Sequence, residues 1–509
     1  MIIKQLVAIK FITDDQLKNL KRQRKKIVLC HGVFDLFHVG HLNHINEAKS
    51  LGDILIVSVT TDRYVNKGPN RPFFNINQRM QILSSIENVD YVIISNSSNG
   101  VKVINKIKPN IYFKGPDYEN VKEDFTGFIK KEIDAVKKNK GKIIYGSGET
   151  FSSSKILNKI LNYTESQKKV IAQIKKNFTF NSFSKILLNK TKNLNVLIIG
   201  EMIIDKFIFC TALGKSGKEA ILNLEKNLEK EIIGGVGAIG NHLSDFAKKV
   251  DIITYLGSYN NKKNFIKKNL KKNVNLKSIV KNHSQTIVKS KIIDLSNNSK
   301  LIGIYDFNDK HLSSKEESSL YSLIDKNIEK YDVVIVSDYG HNFISHKISN
   351  LLSKKKNVIV NTQLNSANLG YHTIGKYKNS TFTIINEVEL RHELRDRYTD
   401  IKQLMVILSK KLKIKNLIVT AGKNGSYYYG TKFKKIIHCP AFAKNVIDKI
   451  GSGDSFMGIF SIINKCFPQN YLLSLFVSSL ATTQVLEGFG NEKSIKIINL
   501  LKAIKYILK

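Results

Sequence analysis

Gly32-Val33-Phe34-Asp35-Leu36-Phe37-His38-Val39-Gly40-His41 decides how the first half of this chain is read. The string follows directly on an apolar strand over 27–30 and opens a helix over 41–50. A strand-to-helix junction presents unpaired backbone N–H groups, and the positive end of a helix dipole, to an approaching anion. Gly40 allows close approach by a nucleotide. His38 and His41, three residues apart at a helix start, lie on one side and can donate hydrogen bonds to phosphate oxygens. Such a pair also caps helices, packs in cores or ligates zinc, but no third ligand follows at metal spacing. Outward from this string, short apolar segments alternate with helical ones. Residues 54–59, 91–94, 111–113 and 143–145 read as strands, and 77–86 and 100–107 as helices. That alternation predicts a parallel sheet covered on both faces, a domain over 27–163. Residues 1–26 read as a short helical extension whose basic run, Lys21-Arg22-Gln23-Arg24-Lys25-Lys26, complements the C-terminal end of a helix dipole.

Residues 164–193 are polar and Lys/Asn-rich with weak helical periodicity, and read as a linker. A second β/α series fills 194–509, with strands over 196–200, 333–336, 357–360, 382–385 and 417–420. Its informative string is Asp448-Lys449-Ile450-Gly451-Ser452-Gly453-Asp454-Ser455-Phe456. A turn of small residues entering a helix makes an anion hole of backbone amides, and Asp454 stands beside it as a candidate general base or as a plain helix cap. Two other motifs fail. Gly214-Lys215-Ser216 is the tail of a phosphate-binding loop, but Phe209 occupies the position of its required first glycine. Gly235-Val236-Gly237-Ala238-Ile239-Gly240 has dinucleotide-site spacing, yet residues 255–265 lack the acidic group that site needs.

At 509 residues the chain predicts two or three domains, and 42% apolar residues suffices for large cores. The 81 basic and 42 acidic residues leave a net charge of +39, which would suggest a polyanionic partner. The split argues otherwise. With 73 Lys, 8 Arg and no Arg between Met80 and Leu390, the bidentate contacts of a nucleic-acid reader are missing. Nucleic acid is not an expected partner. Cys30, Cys210, Cys439 and Cys466 show no CxxC spacing, which fits a reducing cytoplasm. The uncharged stretch from Cys466 to Leu486 is long enough to span a bilayer, but its Pro468, Gln469, Asn470, Gln484 and hydroxyl residues read as loop plus buried helix, with no membrane role.

On the first string, the sequence resembles the HxGH nucleotidyltransferase superfamily. The second signature of that family appears as Phe151-Ser152-Ser153-Ser154-Lys155-Ile156. The resemblance implies a Rossmann-like, cytidylyltransferase-like fold in which a nucleophile such as a sugar phosphate attacks the α-phosphorus of ATP or CTP and pyrophosphate leaves. His38, His41, Lys67 and Arg79 would stabilise the developing charge with Mg²⁺. Gly32, Phe34, Asp35, Gly40, Lys114, Asp117, Ser152, Ser153 and Ser154 would hold the nucleotide.

The second string resembles the PfkB/ribokinase family of sugar kinases, with other marks in the family's chain order. The resemblance implies a doubly wound α/β fold with a small β lid over 207–233 and 284–306. Asp454 would deprotonate the sugar hydroxyl attacking the γ-phosphorus of ATP, and Gly451, Ser452 and Gly453 would offset charge on the transferring phosphoryl group. Thr420, Gly422 and Gly425 would contact nucleotide. Asp205, Gly234, Gly235 and Asn241 would contact sugar, with Asp338 either joining them or only shaping a turn. Asn386 and Glu389 would organise Mg²⁺ through water. Departures are Ile239 where the family carries a sugar-contacting Asn, Lys449 after Asp448, and Gly303, near Lys289 and Lys291, where heptose kinases carry an Arg.

Together the halves resemble the bifunctional heptose 7-phosphate kinase/heptose 1-phosphate adenylyltransferases, with the transferase placed first. That implies a cytoplasmic homodimer acting on phosphorylated sugars and nucleoside triphosphates. A second reading keeps the transferase active and makes the PfkB-like half a non-catalytic binding module.

Overall fold

A computed structural model describes residues 9–65, 71–119, 124, 127–147, 163–443, 446–488 and 490–508. They form two compact units, Met1–Asn162 with Leu501–Lys509, and Tyr163–Leu500.

The first unit is built on five parallel strands, β1 (Ile27–Gly32), β2 (Ile54–Thr60), β3 (Tyr91–Ser95), β4 (Ile111–Lys114) and β5 (Lys142–Tyr145), in the order β3-β2-β1-β4-β5. Alternate residues feed two apolar layers. Val28, Cys30, Leu55 and Val57 face one with Ile45 and Leu83, while Leu29, Ile56 and Tyr112 face the other with Ile104. Burial on both faces is why these strands read as continuous apolar runs rather than alternating ones. The extension helix Asp14–Arg22 adds Leu17 and Leu20 to the second layer, and a Thr13–Gln16 capping box starts it. Chain order reverses between β1 and β4, which opens a crevice beyond their carboxyl ends. Because β1 ends at Gly32, the decisive string leaves the sheet at that crevice.

The second unit has thirteen strands among its described residues: β6 (Asn195–Gly200), β7 (Met202–Lys215), β8 (Leu222–Gly234), β9 (Lys249–Tyr259), β10 (Val274–Gln285), β11 (Ile287–Asp294), β12 (Lys300–Asp306), β13 (Val333–Asp338), β14 (Val358–Thr362), β15 (Phe382–Asn386), β16 (Asn416–Thr420), β17 (Ser426–Gly430) and β18 (Lys435–Cys439). Nine form one sheet, β10-β9-β6-β13-β14-β15-β16-β17-β18, parallel except at β17 and β18. The order reverses at β6/β13, so the carboxyl ends of β6, β13, β14, β15 and β16 border a common crevice. The other four make a separate sheet, β12-β11-β7-β8, which contains the two segments expected to form a lid.

Residues 164–193, expected as a linker, form two helices, Glu165–Asn177 and Phe180–Thr191, that pack within this unit. Gln167 Nε2 donates to the Ala441 carbonyl at 2.6 Å, and Phe183 stacks on Phe467 with centroids 5.1 Å apart. The Lys/Asn content conceals two short apolar stripes, Val170/Ile171/Ile174 and Phe183/Leu187, at helical spacing. The uncharged stretch ending at Leu486 is a turn followed by the helix Tyr471–Leu486, most of it buried. Its hydroxyls bond back to the helix itself, as Ser478 Oγ to the Ser474 carbonyl at 2.7 Å. No helix among the described residues is long and apolar enough to cross a membrane.

Candidate active sites

In the first unit, His38 is the N-cap of the helix Val39–Ser50, and its Nδ1 accepts from the Gly40 amide at 3.1 Å. An accepting Nδ1 places the proton of the neutral ring on Nε2, which makes Nε2–H the donor. The His38 and His41 rings lie 4.1 Å apart, and Phe34 and Phe37 flank His41 at 5.6 and 5.5 Å. Phe34 and Leu36 both sit at positive φ (51° and 46°), so the string makes a tight excursion between strand and helix. Gly32 ends β1, with the Phe34 ring where a side chain would begin. Asp35 is buried, and its carboxylate accepts from the Phe73 and Phe74 amides at 2.9 and 3.0 Å. It therefore pins a neighbouring loop to the histidine string.

Two expected ligand contacts are corrected here. The Arg79 side chain is fully buried, not exposed to a phosphate. It donates to the Phe74 carbonyl at 2.9 Å and the Val33 carbonyl at 2.6 Å, and pairs with Asp62. Lys114 is likewise buried, in an ion pair with Glu132 at 2.9 Å. Glu132 also accepts from the Gly100 amide (2.6 Å) and the Tyr112 hydroxyl (3.1 Å). Burial works against both charges, but the pair holds Lys114 above and Glu132 below their ordinary values. The Arg79 and Lys114 side chains both turn into the protein, where protein groups take up their charges. His44, one turn beyond His41, packs on Phe113 at 4.8 Å, and burial holds it neutral with a pKa near 4. Lys67, Ser152, Ser153 and Ser154 lie outside the described residues, as does the side chain of Asp117.

In the second unit, a cavity of about 310 Å³ opens at the carboxyl ends of the central strands. It brings together Asp205 and Gly235, Asn386 and Glu389, Thr420, and Gly451, Gly453 and Asp454. Gly451 starts the helix Ser452–Cys466 at φ 78°, and a side chain there would run into Asn491, so only glycine fits this turn. Asp454 accepts at Oδ1 from the Tyr339 hydroxyl (2.9 Å) and from Gln363 Nε2 (2.7 Å). Burial pushes its pKa up to about 6 against those two donors. It is thus a carboxylate at neutral pH with raised basicity, as a general base requires.

Asp205 on β7 pairs with Lys291 at 3.3 Å, and Lys289, one strand away, lines the same wall. Gly234 abuts the Asp205 carboxylate. Asn386 and Glu389 form a reciprocal capping box at the start of Glu387–Leu394, and Glu389 Oε1 also accepts from the Leu364 amide at 3.3 Å. Burial raises Glu389 to about 7. Asn361 Nδ2 donates to the Ile384 carbonyl at 2.8 Å, which turns its Oδ1 away as a buried acceptor in the same cavity wall. A cluster of oxygen acceptors with the amides already committed fits a hydrated magnesium ion better than a directly ligated one.

Two sugar-site expectations are corrected. Asn241 does not line the cavity. Its amide ties down the next loop, donating to the Asn269 carbonyl and accepting from the Lys271 amide, both at 3.0 Å. Asp338 is fully buried beneath the site, where Tyr377, Lys376, His372 and the Gly340 amide surround its carboxylate. Its Oδ1 accepts from the Gly340 amide two residues on, the contact of a turn. Gly422 and Gly425 shape the turn after β16 at positive φ, Gly425 against Cys439 and Pro440, while Ser452 Oγ donates to the Lys449 carbonyl at 2.8 Å.

The pfkB family carbohydrate kinase model matches residues 193–461, more than half of the chain. The chain belongs to the pfkB family of carbohydrate kinases. In this pfkB chain, residues 29–160 match the cytidylyltransferase-like family model. The bifunctional protein HldE of Helicobacter pylori is 36% identical over 146 residues, covering 28% of this chain and 29% of the relative. The HldE of Aliarcobacter butzleri is 43% identical over 121 residues, covering 23% and 25%. Both matches fall in the N-terminal region, so the chain spans under a third of the length of these curated relatives. Phosphofructokinase-2 from Escherichia coli, solved with substrates and products, superposes with a TM-score of 0.50 at 13% identity, covering 62% of this chain and all of that one. This is a likeness of fold. The architecture is that of a kinase joined to a nucleotidyltransferase.

Sequence reasoning missed Tyr339, Gln363 and Asn491 as members of the pfkB site. Each follows a strand end or a loop with no motif around it. The signal available was positional: Tyr339 and Gln363 come one residue after β13 and β14, where a doubly wound sheet presents its ligand-facing side chains.

Proposed function

We propose that the second unit transfers the γ-phosphoryl group of ATP to a hydroxyl of a phosphorylated sugar, and that the first transfers a nucleotidyl group from ATP or CTP to a sugar 1-phosphate. The sugar class we assign is a heptose phosphate. The observation that carries the kinase half is Asp454, a buried carboxylate of raised basicity, sharing one cavity with Asp205 and the Gly451–Gly453 turn.

Asp205 orients the sugar by accepting from its hydroxyls, and Lys291, 3.3 Å away, holds that carboxylate in place. Asp454 takes the proton of the attacking hydroxyl. The amides at the start of Ser452–Cys466 face the transferring phosphoryl group, where the helix dipole favours negative charge. Asn386 and Glu389 would hold magnesium through water, and the bound ion would offset charge on the nucleotide phosphates. In the first unit, the Nε2–H of His38 and the His41 ring beside it stabilise negative charge on the phosphates as pyrophosphate departs. Reduction of the cytoplasm suits the four buried, free cysteines.

The test is ³¹P NMR of the full chain with Mg²⁺ and ATP or CTP, with heptose 7-phosphate and heptose 1-phosphate in separate tubes. ADP from the first and pyrophosphate from the second are expected. Asp454→Asn should abolish ADP formation and spare pyrophosphate release, and His41→Ala should do the reverse. Pyrophosphate without ADP from any phosphosugar refutes the kinase half and leaves a binding module. Loss of both reactions in either folded variant refutes independent sites.

A further inference from the structure

Both donors to Asp454 fall on the same oxygen. Tyr339 and Gln363 each reach Oδ1, and no group among the described residues donates to Oδ2. The donors come from the ends of adjacent paired strands, β13 and β14. Each is held by more than its own side chain. The Tyr339 amide donates to Glu201 Oε2 at 3.0 Å, and the Gln363 amide to the Asp338 carbonyl at 2.9 Å. Asn365 and Asn368 then close the loop that follows. Asn365 Nδ2 donates to the Tyr339 carbonyl, and Asn368 Nδ2 to the Tyr339 and Gln363 carbonyls, at 2.8–3.1 Å.

We infer that Tyr339 and Gln363 are positioning residues that clamp Oδ1 of Asp454 and so present Oδ2 to the substrate hydroxyl. The inference rests on the kinase reading above. A carboxylate at the base of a cavity otherwise rotates about its last torsion, which is broad and two-fold. Two donors converging on one oxygen fix that torsion and leave the other oxygen's lone pairs for the proton to be taken. The chemistry of the donors suits the task at every working pH. Burial and the neighbouring Asp454 charge push the Tyr339 phenol far above its usual range, so it stays protonated and donates. Gln363 has only its amide nitrogen to offer a carboxylate, which fixes its orientation.

The clamp also sets basicity, because a hydrogen bond to the charged form favours it. The groups facing Asp454 are Tyr339 from β13, Gln363 from β14, Asp205 and Lys289 from the smaller sheet, Glu389 from the helix Glu387–Leu394 and Lys449 from the loop before the anion hole. Asp205 and Glu389 oppose ionisation and Lys289 favours it. Tyr339 and Gln363 are the two that do so by direct hydrogen bonds.

The test uses Tyr339→Phe and Gln363→Met in the full chain, each nearly isosteric and lacking only the donor. Two readouts are needed. The first is the pH dependence of kcat/KM for ADP formation from ATP and heptose 7-phosphate. The second is a ¹³C-carboxyl NMR titration of Asp454, its signal identified by its absence in Asp454→Asn. Each variant should move both the acid limb and the titration to higher pH by about one unit, with kcat falling more than KM rises. Gln363→Glu, which sets a second carboxyl beside Oδ1, should move them further. Reduced activity with an unmoved limb and titration overturns the clamp and leaves the residues merely structural. A shifted titration in a wild-type protein that makes no ADP supports the clamp and refutes the kinase reading instead.

Discussion

Lys114→Met separates an inward-turned residue from a nucleotide contact. In the wild type the ammonium sits 2.9 Å from Glu132, with the two side chains 9% and 4% exposed. Removing it strands a buried carboxylate whose remaining donors among the described residues are the Gly100 amide and the Tyr112 hydroxyl. Breaking a buried pair in this way costs about 3–5 kcal/mol, most of it the isolated charge. The double variant Lys114→Met/Glu132→Gln keeps an amide oxygen for Gly100 and removes the charge, so it should recover all but about 1–2 kcal/mol. The sign of the pH dependence is equally diagnostic. Wild-type Glu132 is held below its ordinary value, so the pair's contribution is complete above that value and lost as pH falls through the depressed one. Without Lys114, burial raises Glu132 instead, and the unit should gain stability as pH falls from 7 toward 5, by up to about 1.4 kcal/mol per pH unit. The chain has no tryptophan, so unfolding in urea is best followed by hydrogen–deuterium exchange of peptides containing Gly100 and Tyr112. If Lys114→Met unfolds with the wild type and raises KM for the nucleotide tenfold, the inward assignment is wrong and Lys114 reaches the ligand.

Two further outcomes concern the second unit. Lys300 on β12 donates at 2.6 Å to Asp448, whose other oxygen accepts from the Gly490 amide, so the smaller sheet is tied to the loop before the anion hole. Lys300→Met should lower kinase kcat/KM by roughly tenfold, the loss of about 1.5 kcal/mol from one charge-assisted bond, while leaving pyrophosphate release unchanged. Burial raises Glu201 and Glu389 to about 7, so the fold binds protons that the unfolded chain has lost, and stability falls as pH rises through that value. His242, lowered to about 4 by burial, acts the other way, and its contribution to the slope tapers off above the ordinary value of about 6.5. The melting temperature of the second unit should therefore drop between pH 6.5 and 8, and Glu389→Gln should flatten that slope.

The strands were legible because parallel sheets bury both faces, which writes each strand as an apolar run such as Val196–Gly200 or Ile54–Val57. The smaller sheet was legible only as a region. β8 alternates Leu222, Leu224 and Leu228 with polar residues over a length where most side chains are exposed, so its sequence carries no core signal. The helices at 165–177 and 180–191 showed only as weak periodicity for the opposite reason. Their buried stripes are only three and two residues wide, within a polar background that composition reads as linker.

The same asymmetry governs the sites. Local strings announce what a backbone does, and the Gly451–Asp454 turn and the His38–His41 helix start are backbone devices. A charged side chain is different, because its string does not say whether the charge faces ligand or core. Lys114 and Asp338 end strands, Arg79 lies in the first half of the helix Ile76–Ser84, and all three look like ligand contacts. What turns them inward are partners far along the chain: Glu132 for Lys114, Val33 for Arg79, and Tyr377 for Asp338. Asp454 shows the converse. Its motif marks it as a candidate base, but burial raises its basicity, and the two donors that hold its Oδ1 come from Tyr339 and Gln363, 115 and 91 residues away in sequence. A base at the mouth of an anion hole can be inferred from one string, whereas the direction in which it faces depends on the strand order that brings the ends of β13 and β14 beside it.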